Sequence, residues 1–311
     1  MTLKRPDGES KDALDYNVVK RELDTLFIAT ANKIEREWPE KYKTIDSARE
    51  LFLFTVRIAI NTFNTITYVC ADTPDDPKRD LRFSLSVPPL NRTLLENVIT
   101  ILFVIEDIPN HSEWFYKAGW REWKEMLEDY KRDYGSVPEW KAFIDTLSNE
   151  IEKGKTRLKL TKDEIDNTKK MIKYWPNPGK MSGLVEKSNS SSASLAFMKY
   201  LNDWFYRELS GQSHLNVHGL VDRGMYFAPI DMKKLVAGDT AEEIFREKLE
   251  IFKNNQVWIA ITLMMSLVSE IEAHFKFDLS QRVKYLWGIL VNYSDLSKEI
   301  YEKRYATLLD S

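Results

Sequence analysis

The segment YRELSGQSHLNVH, residues 206–218, carries an arginine, two serines and two of the chain's four histidines. Arginine and histidine together suit phosphoryl chemistry. A guanidinium stays charged and offers phosphate oxygens a planar fork of donors, while an imidazole gives or takes a proton near neutrality. Arg207 and His214 are seven residues apart, about two helical turns or 10 Å of axis, so both side chains can converge on one phosphodiester. There the histidine would act as general base or acid towards a ribose 2'-hydroxyl or the leaving oxygen, and the arginine would stabilise charge on the phosphoryl oxygens without a metal. His214 and His218, four apart, have the spacing to share one ion. No glutamate lies between them as in HExxH, and no second cluster offers a third ligand, so no metal site is assigned.

The element that must position these groups is a helix over 194–218. On it Tyr200, Asp203, Arg207, Ser210, His214 and His218 fall within an arc of about 80°, and Phe197, Leu201, Trp204, Phe205, Leu209 and Leu215 form the opposite, apolar face. Gly211, beside the stripe, costs roughly 1 kcal/mol relative to alanine and leaves room for a ligand or a second helix. Asp203 is a candidate to orient the pair, and Tyr206 and Ser210 are candidate hydrogen-bonding groups. The plain alternative is a solvated face on which Asp203 and Arg207 form an ordinary i,i+4 pair.

A second charged pair, Arg92 and Glu96, lies at the edge of the apolar helix PPLNRTLLENVITILFVIED. Ionised groups near a core are normally paired. Either these two pair with each other, or Glu96 orients Arg207 or His214 from a neighbouring helix. A third feature is the run between Lys153 and Lys180, net +6 in a chain whose total is -3. Lys169, Lys170, Lys173 and Trp175 are its candidate contacts for a phosphate backbone and its bases, with Tyr174 also available for stacking. A solvated helical hairpin is the alternative.

Apolar residues recur at three- and four-residue spacing nearly throughout, which predicts an all-α protein with helices over 13–37, 45–71, 88–107, 112–134, 138–153, 162–174, 194–218, 241–275, 279–292 and 296–309. Residues 175–194 read as an irregular loop before the polar helix. The first twelve residues read as a frayed tail, and 13–311 as a single helical domain: a core over about 48–220 with the C-terminal helices 241–309 packed on it. The composition, 43% hydrophobic and 30% charged, fits a soluble helical protein. The one cysteine, Cys70, lies in the apolar run TITYVCAD, which predicts a buried thiol and a reducing, cytoplasmic setting. No segment reads as a signal peptide, and the uncharged run Asn254–Ser269 is shorter than the roughly 18 apolar residues of a spanning helix, so it reads as core and no membrane is expected.

Arg207, six intervening residues and His214 resemble the Arg-x4-6-His motif of the HEPN superfamily, the higher eukaryote and prokaryote nucleotide-binding helical domains. NRTLLEN on one helix, a tryptophan-containing loop and YRELSGQSH on a later helix are similar to a bacterial HEPN-like family with an Arg-x-Leu-Leu-Glu helix and a Tyr-x-x-Leu-Ser-x-x-x-His helix, over roughly 48–220. The resemblance implies an antiparallel helical bundle, usually a homodimer, with motifs from two subunits lining one cleft. It implies metal-independent endoribonuclease activity of a toxin or anti-phage system, RNA as substrate, no cofactor, Arg207 and His214 as catalytic pair, and a neutralising or regulatory partner protein. Non-catalytic members imply the alternative: a module that binds a nucleotide or a protein in the same cleft.

Overall fold

The structure, a computed structural model, describes residues 2–3, 14–70, 81–187, 192–213 and 240–309. It is all-α. Of the segment read as a frayed tail, Thr2–Leu3 pairs antiparallel with Leu14–Asp15; the remainder lies outside the described residues.

Helices α1 (Tyr16–Arg36) and α2 (Asp46–Cys70) pack antiparallel: Phe27 meets Phe63 edge-on at 5.5 Å and, nearer the connection, Trp38 meets Phe52 at 5.7 Å. Their apolar residues stand three and four apart, as in Leu51, Phe52, Thr55, Val56, Ala59 and Phe63, so a single buried stripe holds each helix down. Cys70 closes α2, buried as expected. Helix α3 (Pro88–Glu106) starts with two prolines in its first turn, where amide hydrogens lack internal partners, and from Val98 to Val104 every residue but the half-buried Thr100 is buried.

The long helix α11 (Ala241–Phe275) begins in a capping box, Thr240 with Glu243, and ends at Lys276 in the left-handed conformation, φ 56°. It packs on α3 and α2 as the centre of the core. Among the described residues Glu243–Phe275 is the stretch long and apolar enough to cross a membrane, yet 83% of its most apolar window is buried inside the protein. Helix α12 (Ser280–Leu290) returns antiparallel along α11, with Trp287 Nε1 donating to Ser269 Oγ (2.9 Å) and Ser280 Oγ to Glu272 (2.7 Å). The chain closes through α13 (Asp295–Ile300), a π-helical turn (Tyr301–Tyr305) and α14 (Ala306–Leu308).

Helices α4 (Ile108–Tyr134) and α5 (Lys141–Arg157) form an antiparallel hairpin with its own small core of Trp120, Leu127, Ile144, Leu147, Ile151 and Ile172. The break expected over 108–111 is a single residue: Asp107 caps α4, its carboxylate accepting from Asn110 N, and Pro109 sits in the first turn, where it is tolerated. The helix expected over 162–174 is two short pieces, α6 (Lys162–Asp166) and α7 (Thr168–Met171), parted at Asn167. Of the loop expected over 175–194, Pro178–Lys187 is helix α8. Asn177 Oδ1 caps it by accepting from Lys180 N (3.1 Å), and Met181 and Val185, four apart, bury its inner face. Helix α9 (Ala193–Tyr200) passes through a second π-helical turn (Leu201–Tyr206) into α10 (Arg207–Ser213).

Candidate functional site

The π turn decides where the polar stripe goes. Its i→i+5 hydrogen bonds make a wider turn than an α-helix, so residues after it are rotated out of the register that the α spacing gives. Tyr200, just before the turn, donates its hydroxyl to Glu299 (2.8 Å), and its ring meets Phe205 of the turn edge-on at 5.9 Å. Asp203 and Arg207 lie on the solvent side, their side chains 66% and 78% accessible and 3.9 Å apart. Leu209 is buried and Ser210 half-buried. The stripe expected from Tyr200 to His218 is on view as far as Ser210, with Asp203 and Arg207 together on one exposed face, while Tyr206, the candidate hydrogen-bonding group beside it, lines a cleft. His214 and His218 lie outside the described residues, so the expected convergence of Arg207 with His214 is not on view.

The cleft measures about 970 Å³ and lies between α3, α4, α5, α8 and the π turn. Its α3 wall carries Arg92, Glu96 and Thr100. Arg92 Nε donates to Glu96 Oε1 (3.0 Å) and Arg92 Nη2 to the Tyr206 hydroxyl (2.9 Å), with the guanidinium 5.0 Å from the Tyr206 ring centre. Glu96 thus pairs with Arg92, the first of the two expectations for it. Burial opposes the Arg92 charge, but the Tyr206 oxygen and the Glu96 carboxylate outweigh it and raise its pKa, so the guanidinium stays ionised.

The opposite wall is α4, which presents Phe115, Tyr116, Gly119, Trp120, Glu122 and Trp123. Burial and the nearby Glu50 carboxylate push the Tyr116 hydroxyl up to about 12, against the lowering effect of Arg157, so it remains a donor at neutral pH. Helix α5 adds Glu150, Lys153, Gly154 and Arg157. Lys153 is held by Glu150 at 2.6 Å and Arg157 by Glu50. The lining has three cationic side chains (Arg92, Lys153, Arg157) against three carboxylates (Glu96, Glu122, Glu150). This is a charge-balanced, aromatic cleft.

The basic run is divided between two hollows, with Lys153 and Arg157 at the cleft and Lys169 and Lys170 at another. Lys169, Lys170 and Lys173 are exposed, and Lys169 and Lys170 border a separate hollow with Glu125 and Asp166. Their backbone is clamped to α4: Arg121 Nη1 donates to the carbonyls of Ile172 (2.6 Å) and Lys169 (3.3 Å), and Lys124 Nζ to that of Ile165 (2.9 Å). Tyr174, expected to be open for stacking, already carries the Arg121 guanidinium 3.6 Å from its ring centre and donates to Glu125. Trp175 does line the cleft, but its ring is fixed edge-on against Phe103, Trp114 and Phe115 at 5.4, 5.5 and 5.0 Å. It builds a wall and is not a loose stacking platform.

Sequence reasoning missed the aromatic face of α4. Its signal was the run WFYKAGWREW, in which Phe115, Tyr116, Gly119, Glu122 and Trp123 recur at helical spacing around a glycine. Among the described residues no group of three or more His, Cys, Asp and Glu side chains is placed to hold a metal ion.

A family model described as a family of unknown function (DUF5677) matches residues 50–225. That is more than half of the chain, which belongs to this family. The match takes in both motif segments, α3 and the turn that bears Tyr206, together with the α4–α5 hairpin. No curated protein and no solved structure matches the chain.

Proposed function

We propose that this chain is a HEPN-like helical module that binds a nucleotide in the cleft between α3 and α4. The observation that carries the reading is the 2.9 Å contact between Arg92 and Tyr206. Two segments 114 residues apart, each singled out by its residue types, meet through that bond at the wall of one cleft. Pockets of roughly 300–1,000 Å³ with apolar and aromatic walls and few polar groups suit small ligands of this kind. The α4 rings offer faces to a base, and Arg92, held by Glu96 and Tyr206, puts a positive charge beside a phosphate. Balanced lining charge favours a single nucleotide over the backbone of a long polyanion, which calls for a basic groove.

Titration of the purified chain with adenosine and uridine 5'-monophosphate, followed by tryptophan fluorescence, tests this. Trp120, Trp123 and Trp175 line the cleft and report on its occupancy. The expected result is saturable quenching that Arg92→Ala weakens by about tenfold or more, the loss of about 1.4 kcal/mol of binding energy. No response of the native chain to either nucleotide at millimolar concentration overturns the reading.

A second reading, a metal-independent endoribonuclease, is favoured by the exposure of Arg207, tied only loosely to Asp203. Cleavage of labelled RNA in EDTA that both Arg207→Ala and His214→Ala abolish would replace the first reading with the second. RNA left intact across varied sequences would remove it.

A further inference from the structure

Two glycines line the cleft, and they are there for different reasons. A Cβ placed on Gly154 would meet Trp120 Cδ1 at 2.8 Å, so the close packing of α5 on α4 accounts for that residue. Gly119 has no such account. It sits in the middle of α4, eleven residues from the helix start at Ile108, and a Cβ there would meet nothing within 4 Å. Alanine at such a site would favour the helix, so neither helix propensity nor packing calls for glycine. Gly183 and Gly288 are equally open, but neither borders the cleft.

What surrounds Gly119 gives the gap a shape. Phe115 is one turn before it and Trp123 one turn after, on the same face of α4, and both line the cleft. Eight residues at 1.5 Å each separate the two aromatic positions by about 12 Å along the axis, with bare backbone between them. Trp123 is 53% accessible, so its ring is not consumed by the core. The empty position is thus flanked by one fixed and one exposed aromatic side chain, in a cleft whose far wall carries a charged guanidinium.

The geometry points to Gly119 as the residue that sets what the cleft accepts: the missing side chain leaves a slot against the α4 backbone for a fused two-ring planar base, that of a purine nucleotide. The inference rests on the reading of the cleft as a nucleotide site and adds the identity of the base and the residue that selects it. A methyl group at 119 narrows the slot, and a branched side chain closes it to two rings while the Arg92 wall is untouched.

The test is titration of the native chain, Gly119→Ala and Gly119→Val with adenosine 5'-monophosphate and with uridine 5'-monophosphate, alongside thermal unfolding of all three. The expected result is preference of the native chain for the adenine nucleotide, about threefold weakening of that nucleotide by alanine and at least tenfold by valine. Uridine monophosphate binding should change less, and the melting temperature of the alanine variant should equal or exceed the native value. Unchanged adenosine monophosphate affinity in both variants overturns the slot and leaves the cleft reading standing. A native chain that binds both nucleotides equally overturns the purine assignment, and one that binds neither overturns the slot and the cleft reading together. If the valine variant fails to fold, the alanine variant, which the helix favours, decides.

Discussion

Arg92 and Arg304 each donate to a glutamate and to a hydroxyl, yet they do different work. Arg304 grips Glu270 with two bonds of 2.9 Å, donates to Ser194 Oγ at 3.0 Å, and is 7% accessible beside a 3% accessible partner. Burial opposes its charge, but Glu270 outweighs that and raises its pKa. It ties the C-terminal π turn to α11 and α9. The neighbouring hollow of about 510 Å³ touches it, but the guanidinium fork is already filled. Arg92 binds Glu96 through one 3.0 Å bond along its own helix, with side chains 22% and 37% accessible, and faces the larger cleft. The same residue types make a rivet where the partners come from separate buried helices and a poised anchor where they border a cleft.

The largest expected effect is at the rivet. Arg304→Met leaves the Glu270 carboxylate buried without its partner and should cost about 3–5 kcal/mol in urea unfolding, whereas adding Glu270→Leu should recover most of the loss. A single-variant cost under about 1 kcal/mol would erase the distinction between the two arginines.

His274 sharpens the buried side of the comparison. Burial, with the Lys41 charge nearby, lowers its pKa from 6.5 to about 4 despite the opposing pull of Glu106, and its Nε2 lies 3.3 Å from the Tyr42 hydroxyl. The unfolded chain takes up a proton near 6.5 that the folded chain refuses until about 4. The stability due to neutral His274 is therefore complete above the unfolded value and is lost as pH falls through that window, by about 2–3 kcal/mol. Unfolding free energies of native and His274→Gln protein at pH 7 and pH 4.5 should converge as pH falls. Parallel curves would contradict the assignment.

At the cleft the ordering reverses, since Arg92→Ala should cost under about 1 kcal/mol of stability, as for a partly exposed pair, while weakening ligand binding. Smallest is Asp203→Ala, where loss of a surface i,i+4 pair should change stability by about 0.3 kcal/mol and by less in high salt.

Much of the scaffold was legible because the apolar period and the caps agree. The spacing that predicts 45–71 and 241–275 meets helices Asp46–Cys70 and Ala241–Phe275, and the two prolines at 88 and 89 mark the start of α3. Helix α8 was hidden because Pro178 and Gly179 signal a turn as readily as a first helical turn. The π turn left no trace in residue spacing, yet Asp203 and Arg207 still form the exposed i,i+4 pair that the plain alternative describes. Arg92, Glu96 and Tyr206 could each be picked out by type, but which face of α4 they confront depends on how helices far apart in sequence pack. The α4 aromatics have the spacing of a core face and of a cleft wall alike, and the open space beside Gly119 separates the two cases.

The central claim, that the cleft anchored by Arg92 is where this protein meets its ligand, is tested most directly by calorimetric titration of adenosine 5'-monophosphate into the native chain, Arg92→Ala and Arg207→Ala. The account predicts binding that is lost at residue 92 and kept at residue 207, with both variants melting close to the native temperature. Binding kept by Arg92→Ala and lost by Arg207→Ala would place the working surface on the solvent side of α10 and contradict it.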